Sequence, residues 1–157
     1  MTLISDVLSK KNISTDLKGR DKETIIKSLL SFAMRTGGVE DREEAYKAIM
    51  DRERLMSTAL ENGIAIPHGK TNAVSYLIMS LGISKSGIDF HSMDGKPTYI
   101  FFLILVPEKN GNQCLRMMAQ IANLTRNSDL ISLLRKTSSS TEVLKIIRSV
   151  EKIYDSI

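Results

Sequence analysis

The sequence predicts an α/β fold in which a mixed, parallel and antiparallel β-sheet is sandwiched by α-helices. Three observations predict it. The first third and the last third carry apolar residues at helical spacing. The middle is rich in short β-type segments. Within that middle, Thr98 to Val106 is a run of β-branched and aromatic residues without alternation, the mark of a central strand buried on both faces.

Taken in order, residues 3–10 read as a short opening helix and Ile13 to Leu17 as a short strand. From Asp21 the period changes: Ile25, Ile26, Leu29, Leu30 and Ala33 share one helical face, and Gly37–Gly38 ends the helix. A second helix starts near Asp41, with Glu44 three residues on, buries Ala45, Ala48 and Ile49, and runs to about Arg54. Gly63 to Ile66 is a short apolar segment and Tyr76 to Ile83 reads as a strand. Asp94–Gly95 is a turn signal. In the last third, Leu115, Met118, Ala119 and Ala122 are expected to form one helix face. Leu130, Leu133 and Leu134 form a second, and Val143, Leu144, Ile146, Ile147 and Val150 a third. Ser139 with Glu142 fits a capping box at the start of that last helix.

The chain has 157 residues, 42% of them hydrophobic and 25% charged, which fits a single globular domain over 1–157. The net charge of +4, from 22 basic and 18 acidic side chains, is spread along the chain. It forms no basic stripe, and with only 5% aromatic residues and no tryptophan, nucleic-acid binding is not expected. The single cysteine, Cys114, excludes an internal disulfide and suits a reducing compartment. Met1 to Asn12 lacks the apolar core of a signal peptide. The longest apolar run, Tyr99 to Val106, falls far short of the roughly 18–20 residues a membrane helix needs. A cytoplasmic protein without membrane insertion is the expectation.

The stretch that carries chemistry is Ser57-Thr58-Ala59-Leu60-Glu61-Asn62-Gly63-Ile64-Ala65-Ile66-Pro67-His68-Gly69. Asn62 and Gly63 tolerate positive φ and mark a turn. Ile64 and Ile66 share one face of a short strand and anchor it in the core. Pro67 is expected to end that strand, since it cannot donate to the ladder. His68 then sits just past a rigid strand end, open to solvent, with Gly69 letting the backbone turn away. Such an imidazole suits phosphoryl transfer, because its ordinary pKa leaves a neutral nitrogen free to attack while the other nitrogen holds a fixed acceptor. The phosphoryl oxygens need cationic donors, and a planar guanidinium is the best of them. Arg52 and Arg54 lie close upstream, and Ser57 and Thr58 offer hydroxyl donors. Arg54 and His91 read as surface residues, and Met117 and Met118 as core packing. A metal site from His68, His91 and Cys114 has no ligand-like spacing, so no metal and no cofactor is expected.

These residues give the chain a resemblance to the IIA domains of the bacterial phosphoenolpyruvate-dependent phosphotransferase system, in the fructose/mannitol class that includes the nitrogen-regulatory IIA proteins. The resemblance covers about Leu3 to Val150. It is most specific at Arg52-Glu53, Ser57-Thr58, Asn62 to Gly69 and Phe101 to Pro107. It implies the type 2 IIA fold, His68 as the phosphorylated residue, Arg52 as a phosphoryl-binding residue, and Ser57, Thr58, Asn62, Gly63, Pro67 and Gly69 as residues that bind the phosphoryl group or shape the site. It implies an HPr-type phosphocarrier protein as donor, and a IIB cysteine or a regulatory target protein as the next partner. One position departs. The family usually has a second histidine before a leucine in the segment matched by Gly111-Asn112-Gln113-Cys114-Leu115, and here Cys114 holds it. A neutral thiol is a much weaker donor than an imidazole. Cys114, in a chain with no attached IIB or membrane segment, also fits the alternative of a regulatory binding module.

Overall fold

The computed structural model describes residues 2–155. The chain opens with a one-turn helix α1 (Ile4–Val7), a 3-10 turn (Lys10–Asn12) and strand β1 (Ile13–Ser14). Helices α2 (Lys22–Met34) and α3 (Arg42–Leu55) follow. Both begin as the sequence predicts: the Asp21 carboxylate accepts from the Thr24 N–H, and the Asp41 carboxylate from the Glu44 N–H, each replacing a partner that a first-turn amide lacks. Gly37, at φ +80°, takes the chain out of α2.

Four strands form the middle: β2 (Ile64–Ala65), β3 (His68–Lys70), β4 (Ile78–Ile88) and β5 (Thr98–Val106). Helices α4 (Gly111–Leu124), α5 (Ser128–Lys136) and α6 (Ser140–Asp155) close the described chain. The sheet order is β1-β4-β5-β2, with β3 also on β5. β4 and β5 are antiparallel, while β1 on β4, and β2 and β3 on β5, are parallel. β5 is the central strand, and all its residues are buried except half-buried Tyr99. Its lack of alternation follows from helices on both faces.

The sheet separates two apolar cores. One lies under α1, α4, α5 and α6 and takes Ile64, Ile66, Phe102, Ile104, Cys114 and Met117. The other lies under α2 and α3 and takes Ile25, Leu29, Ile49, Ala65, Phe101 and Leu103. Neighbours along β5 alternate between them, as the two-residue period of a strand requires.

Several expectations are corrected. α4 buries Cys114, Met117, Ile121 and Leu124, one position ahead of the predicted face, and leaves Ala119 and Ala122 exposed and Leu115 60% exposed. Both faces have helical spacing, but the buried one removes more apolar surface from water. On α5, Leu130 and Leu134 are buried and Leu133 is 53% exposed. At the amino end of α6 the capping box is half formed: Ser139 Oγ accepts from the Glu142 N–H, while the Ser139 N–H donates to Thr137 Oγ1.

A further correction bears on the site. β2 ends at Ala65, ahead of Pro67, but His68 does not sit past the sheet: it opens β3, which pairs with the same strand β5. The register of β2 on β5 (Ile64 opposite Ile100, Ala65 opposite Phe101) continues unshifted into β3 (His68 opposite Ile104, Gly69 opposite Leu105). The Pro67 carbonyl still accepts from Ile104 N–H at 3.0 Å. Only the missing Pro67 N–H, which would point the same way, interrupts the ladder. Gly69 is therefore not a turn but a contact. A Cβ there would lie 3.1 Å from Ala48 C and 3.1 Å from Ile49 N, backbone atoms of α3 that cannot swing aside. Gly69→Ala is expected to lower stability by about 1–3 kcal/mol, the cost of forcing packed elements apart. Urea unfolding measures it, and an unchanged midpoint would mean that α3 yields freely.

Candidate functional site

Residues 64–70 run along one margin of the sheet, and their alternation decides what faces where. Ile64, Ile66, His68 and Lys70 share the α4 side, and Ala65 and Gly69 the α3 side. Because the Pro67 carbonyl points at β5, the peptide groups of Ile66 point away from it. The Ile66 N–H donates to the Thr58 carbonyl at 3.1 Å. The Ile66 carbonyl lies 2.8 Å from His68 Nδ1. A carbonyl oxygen only accepts, so Nδ1 carries the ring proton and Nε2 keeps its lone pair.

His68 is half-buried and lines a cleft of about 940 Å³ between α3 and the start of α4. Arg52, Gly69, Lys70, Cys114, Leu115 and Met118 line the same cleft. Burial holds the imidazole pKa below its ordinary 6.5; the Ile66 carbonyl opposes this, Arg52 and Lys70 add to it, and Glu53 opposes it. The ring is thus neutral and nucleophilic at neutral pH.

Arg52 Nη1 donates to the Met56 carbonyl at 2.8 Å. Among the described residues no carboxylate is in ion-pair range of Arg52, so its other N–H donors remain for an anion in the cleft. Arg54 instead pairs with Asp51 at 3.4 Å on the exposed side of α3. Cys114 is buried, and burial pushes its thiol pKa up, against a smaller downward pull from Lys70. It therefore faces the cleft as a neutral thiol.

The other predicted residues shape this arrangement from outside the cleft. Thr58 Oγ1 donates to Glu53 Oε1 at 2.5 Å, and Thr58 N–H to Glu53 Oε2 at 2.8 Å. Ser57 Oγ donates to the Phe90 carbonyl at 2.6 Å. Neither hydroxyl is left for a phosphoryl group. Asn62 (φ 72°) and Gly63 (φ 81°) form the turn into β2, and Gly63 packs against Tyr99, not His68. His91, also at positive φ, is exposed and does not line the cleft.

Two residues to which the sequence reading gave no role matter here. Glu53, whose side chain is 1% exposed, is the hub of the loop after α3: besides Thr58 it pairs with Lys22 Nζ at 2.8 Å. Lys22 also lies over the Phe90 ring, 4.8 Å from its centroid. A buried carboxylate held by a cation and two donors fixes the helix end that carries Arg52. Lys70 was within reach of the alternation of Ile64 and Ile66, had that been carried across Pro67.

Residues 6–150 match the family model described as phosphoenolpyruvate-dependent sugar phosphotransferase system, EIIA 2. The chain belongs to this family. It is 34% identical to the fructose-specific EIIA component of Haloferax volcanii over 96% of this chain and 97% of that one. It is 30% identical to the fructose-specific EIIABC component of Bacillus subtilis over 95% of this chain, which spans only 24% of that longer protein. Among solved structures, the nitrogen regulatory protein IIA-Ntr of Neisseria meningitidis superposes with a TM-score of 0.85 at 26% identity, covering 93% of this chain and 99% of that one. The type 2 IIA fold expected from the sequence is the fold observed. No helix among the described residues is long and apolar enough to cross a membrane.

Two measurements probe the site. A histidine whose folded pKa lies below its unfolded value binds fewer protons folded than unfolded as pH falls. The stability tied to His68 is therefore full above about pH 6.5 and declines as pH drops through 6.5 towards the lower folded value. NMR titration of the ring is expected to give a midpoint below 6.5, and a midpoint at or above it contradicts the geometry. Glu53→Ala strands the Thr58 donors and the Lys22 ammonium, and is expected to cost about 3 kcal/mol in thermal or urea unfolding. Glu53→Gln, which keeps an acceptor for Thr58, is expected to cost less.

Proposed function

We propose that the domain is a cytoplasmic phosphoryl carrier that accepts a phosphoryl group on His68 Nε2 and passes it on. The observation that carries this reading is the fixed tautomer: Nδ1 is committed to the Ile66 carbonyl, so a neutral Nε2 lone pair is left in a cleft that Arg52 also lines. Nε2 attacks the phosphorus of a phosphohistidine on an HPr-type protein. The new N–P bond forms as the donor N–P bond breaks, and the donor ring keeps that electron pair. The Nδ1 proton stays in place throughout, so no base is needed. Arg52 meets the oxygens on which negative charge gathers. In the onward step a IIB cysteine thiolate attacks the phosphorus, and His68 leaves with the electron pair and returns to its starting tautomer. The likeness to fructose-specific EIIA components supports transfer towards sugar uptake.

A second reading rests on Cys114 and the cleft rim. Where the family resemblance leads one to expect a second imidazole there is a buried neutral thiol, and the rim exposes Leu55 (82%) and Leu115 (60%). Slow phosphorylation beside an apolar rim fits a regulator whose partner binding changes with phosphate on His68. The likeness to IIA-Ntr supports this version.

One experiment serves both. The protein is incubated with labelled phosphoenolpyruvate, Enzyme I and HPr, and acid-labile phosphate is followed in time. Wild type is expected to take label and His68→Ala none. Arg52→Ala is expected to slow uptake on the order of a hundredfold. Cys114→His is expected to speed transfer or prolong the phosphohistidine, and unchanged rate and lifetime would show that this position is indifferent. The carrier reading fails if wild type stays unlabelled with competent partners, or if His68→Ala labels normally. Bound proteins that are the same for both phosphorylation states count against the regulatory version.

A further inference from the structure

Lys70 lies two residues beyond His68 in β3, on the same face of the strand, and lines the same cleft. Its stem passes the first residue of α4: a Cβ on Gly111 would sit 3.4 Å from Lys70 Cδ and 3.8 Å from Nζ. The ammonium is therefore at the α4 wall, whereas Arg52 enters from α3. The Lys70 charge bears on both the His68 ring and the Cys114 thiol. Among the described residues Lys70 has no carboxylate in ion-pair range. Glu108, on the same wall, takes the Asn72 amide at 3.2 Å. On the α3 wall, Lys47 and Asp51 neutralise each other at 2.6 Å.

We propose that the Lys70 ammonium is the second cation of the site and holds the phosphoryl oxygens of phospho-His68 from the side opposite Arg52. A phosphoryl group on nitrogen carries up to two negative charges. Arg52 and Lys70 bring one positive charge each, and the buried thiol of Cys114 brings none. Contact with Lys70 makes and breaks no covalent bond and moves no proton. The charged groups that bear on the ring are Arg52 and Glu53 from α3 and Lys70 from β3. This assignment rests on the carrier reading above.

The test is the phosphoryl titration followed by phosphorus NMR, together with the equilibrium for exchange with phospho-HPr, in wild type, Lys70→Met and Lys70→Arg. Lys70 is exposed, so all three are expected to fold, and a thermal melt checks this. A cation beside the dianion lowers its last pKa, so Lys70→Met is expected to raise the titration midpoint. It is also expected to shift the exchange equilibrium about tenfold or more towards phospho-HPr, as loss of a hydrogen bond to a charged group does. Lys70→Arg stays near wild type in both. A midpoint and equilibrium unmoved by Lys70→Met, or moved equally by Lys70→Arg, overturn the role of Lys70 and leave the carrier reading intact. A wild type that gives no phosphohistidine signal at all overturns the carrier reading, and this assignment with it.

Discussion

The hydrogen bond between His68 Nδ1 and the Ile66 carbonyl is the contact around which the site is organised. It joins residues two apart in one extended segment, so it owes little to flexible loops. It exists because the peptide groups of Ile66 face away from β5, and they do so because Pro67 and Ile104 hold the register of that margin of the sheet. The proline removes one rung of the ladder without shifting it. The cost is a single backbone bond, and the gain is a ring whose proton, orientation and reactive nitrogen are all set before any partner arrives.

The margin of the sheet is also where the two cores meet. α3 reaches it from one face and α4 from the other, and each brings different chemistry. α3 brings Arg52, steadied by the buried Glu53 hub. α4 brings Gly111, which the Lys70 stem passes, and a buried thiol. The cleft between these two layers thus places Arg52 of α3 beside His68 and Lys70 of the sheet margin. The low pKa of the ring follows from the same placement, since burial and two nearby cations all disfavour a third positive charge.

Much of this was legible in the sequence. The helix starts at Asp21 and Asp41, the buried run 98–106, the positive φ at Asn62 and Gly63, and the placing of His68 and Arg52 in one cleft all follow from local chemistry that the neighbours reinforce. The failures have a common cause, which is tertiary contact. Pro67 interrupts the ladder as expected, but β5 imposes the same register on the residues beyond it. Gly69 looks like a hinge until the backbone of α3 is seen against it. The phase of α4 depends on which of two equally spaced faces buries more, and that is decided by the sheet beneath. Ser57 and Thr58 look like free hydroxyls until the buried Glu53 and the Phe90 carbonyl claim them.

The parallel pairing of β3 with β5 carries a consequence for the growing chain. His68 emerges early in synthesis, yet its register partner Ile104 and the α4 wall come only later. Until β5 has docked, nothing fixes the direction of the Ile66 carbonyl, and the imidazole of a partly made chain is an ordinary one. The fixed tautomer is thus a property of the finished molecule. Fragments that end short of β5 keep the histidine but lack the contacts that fix its tautomer.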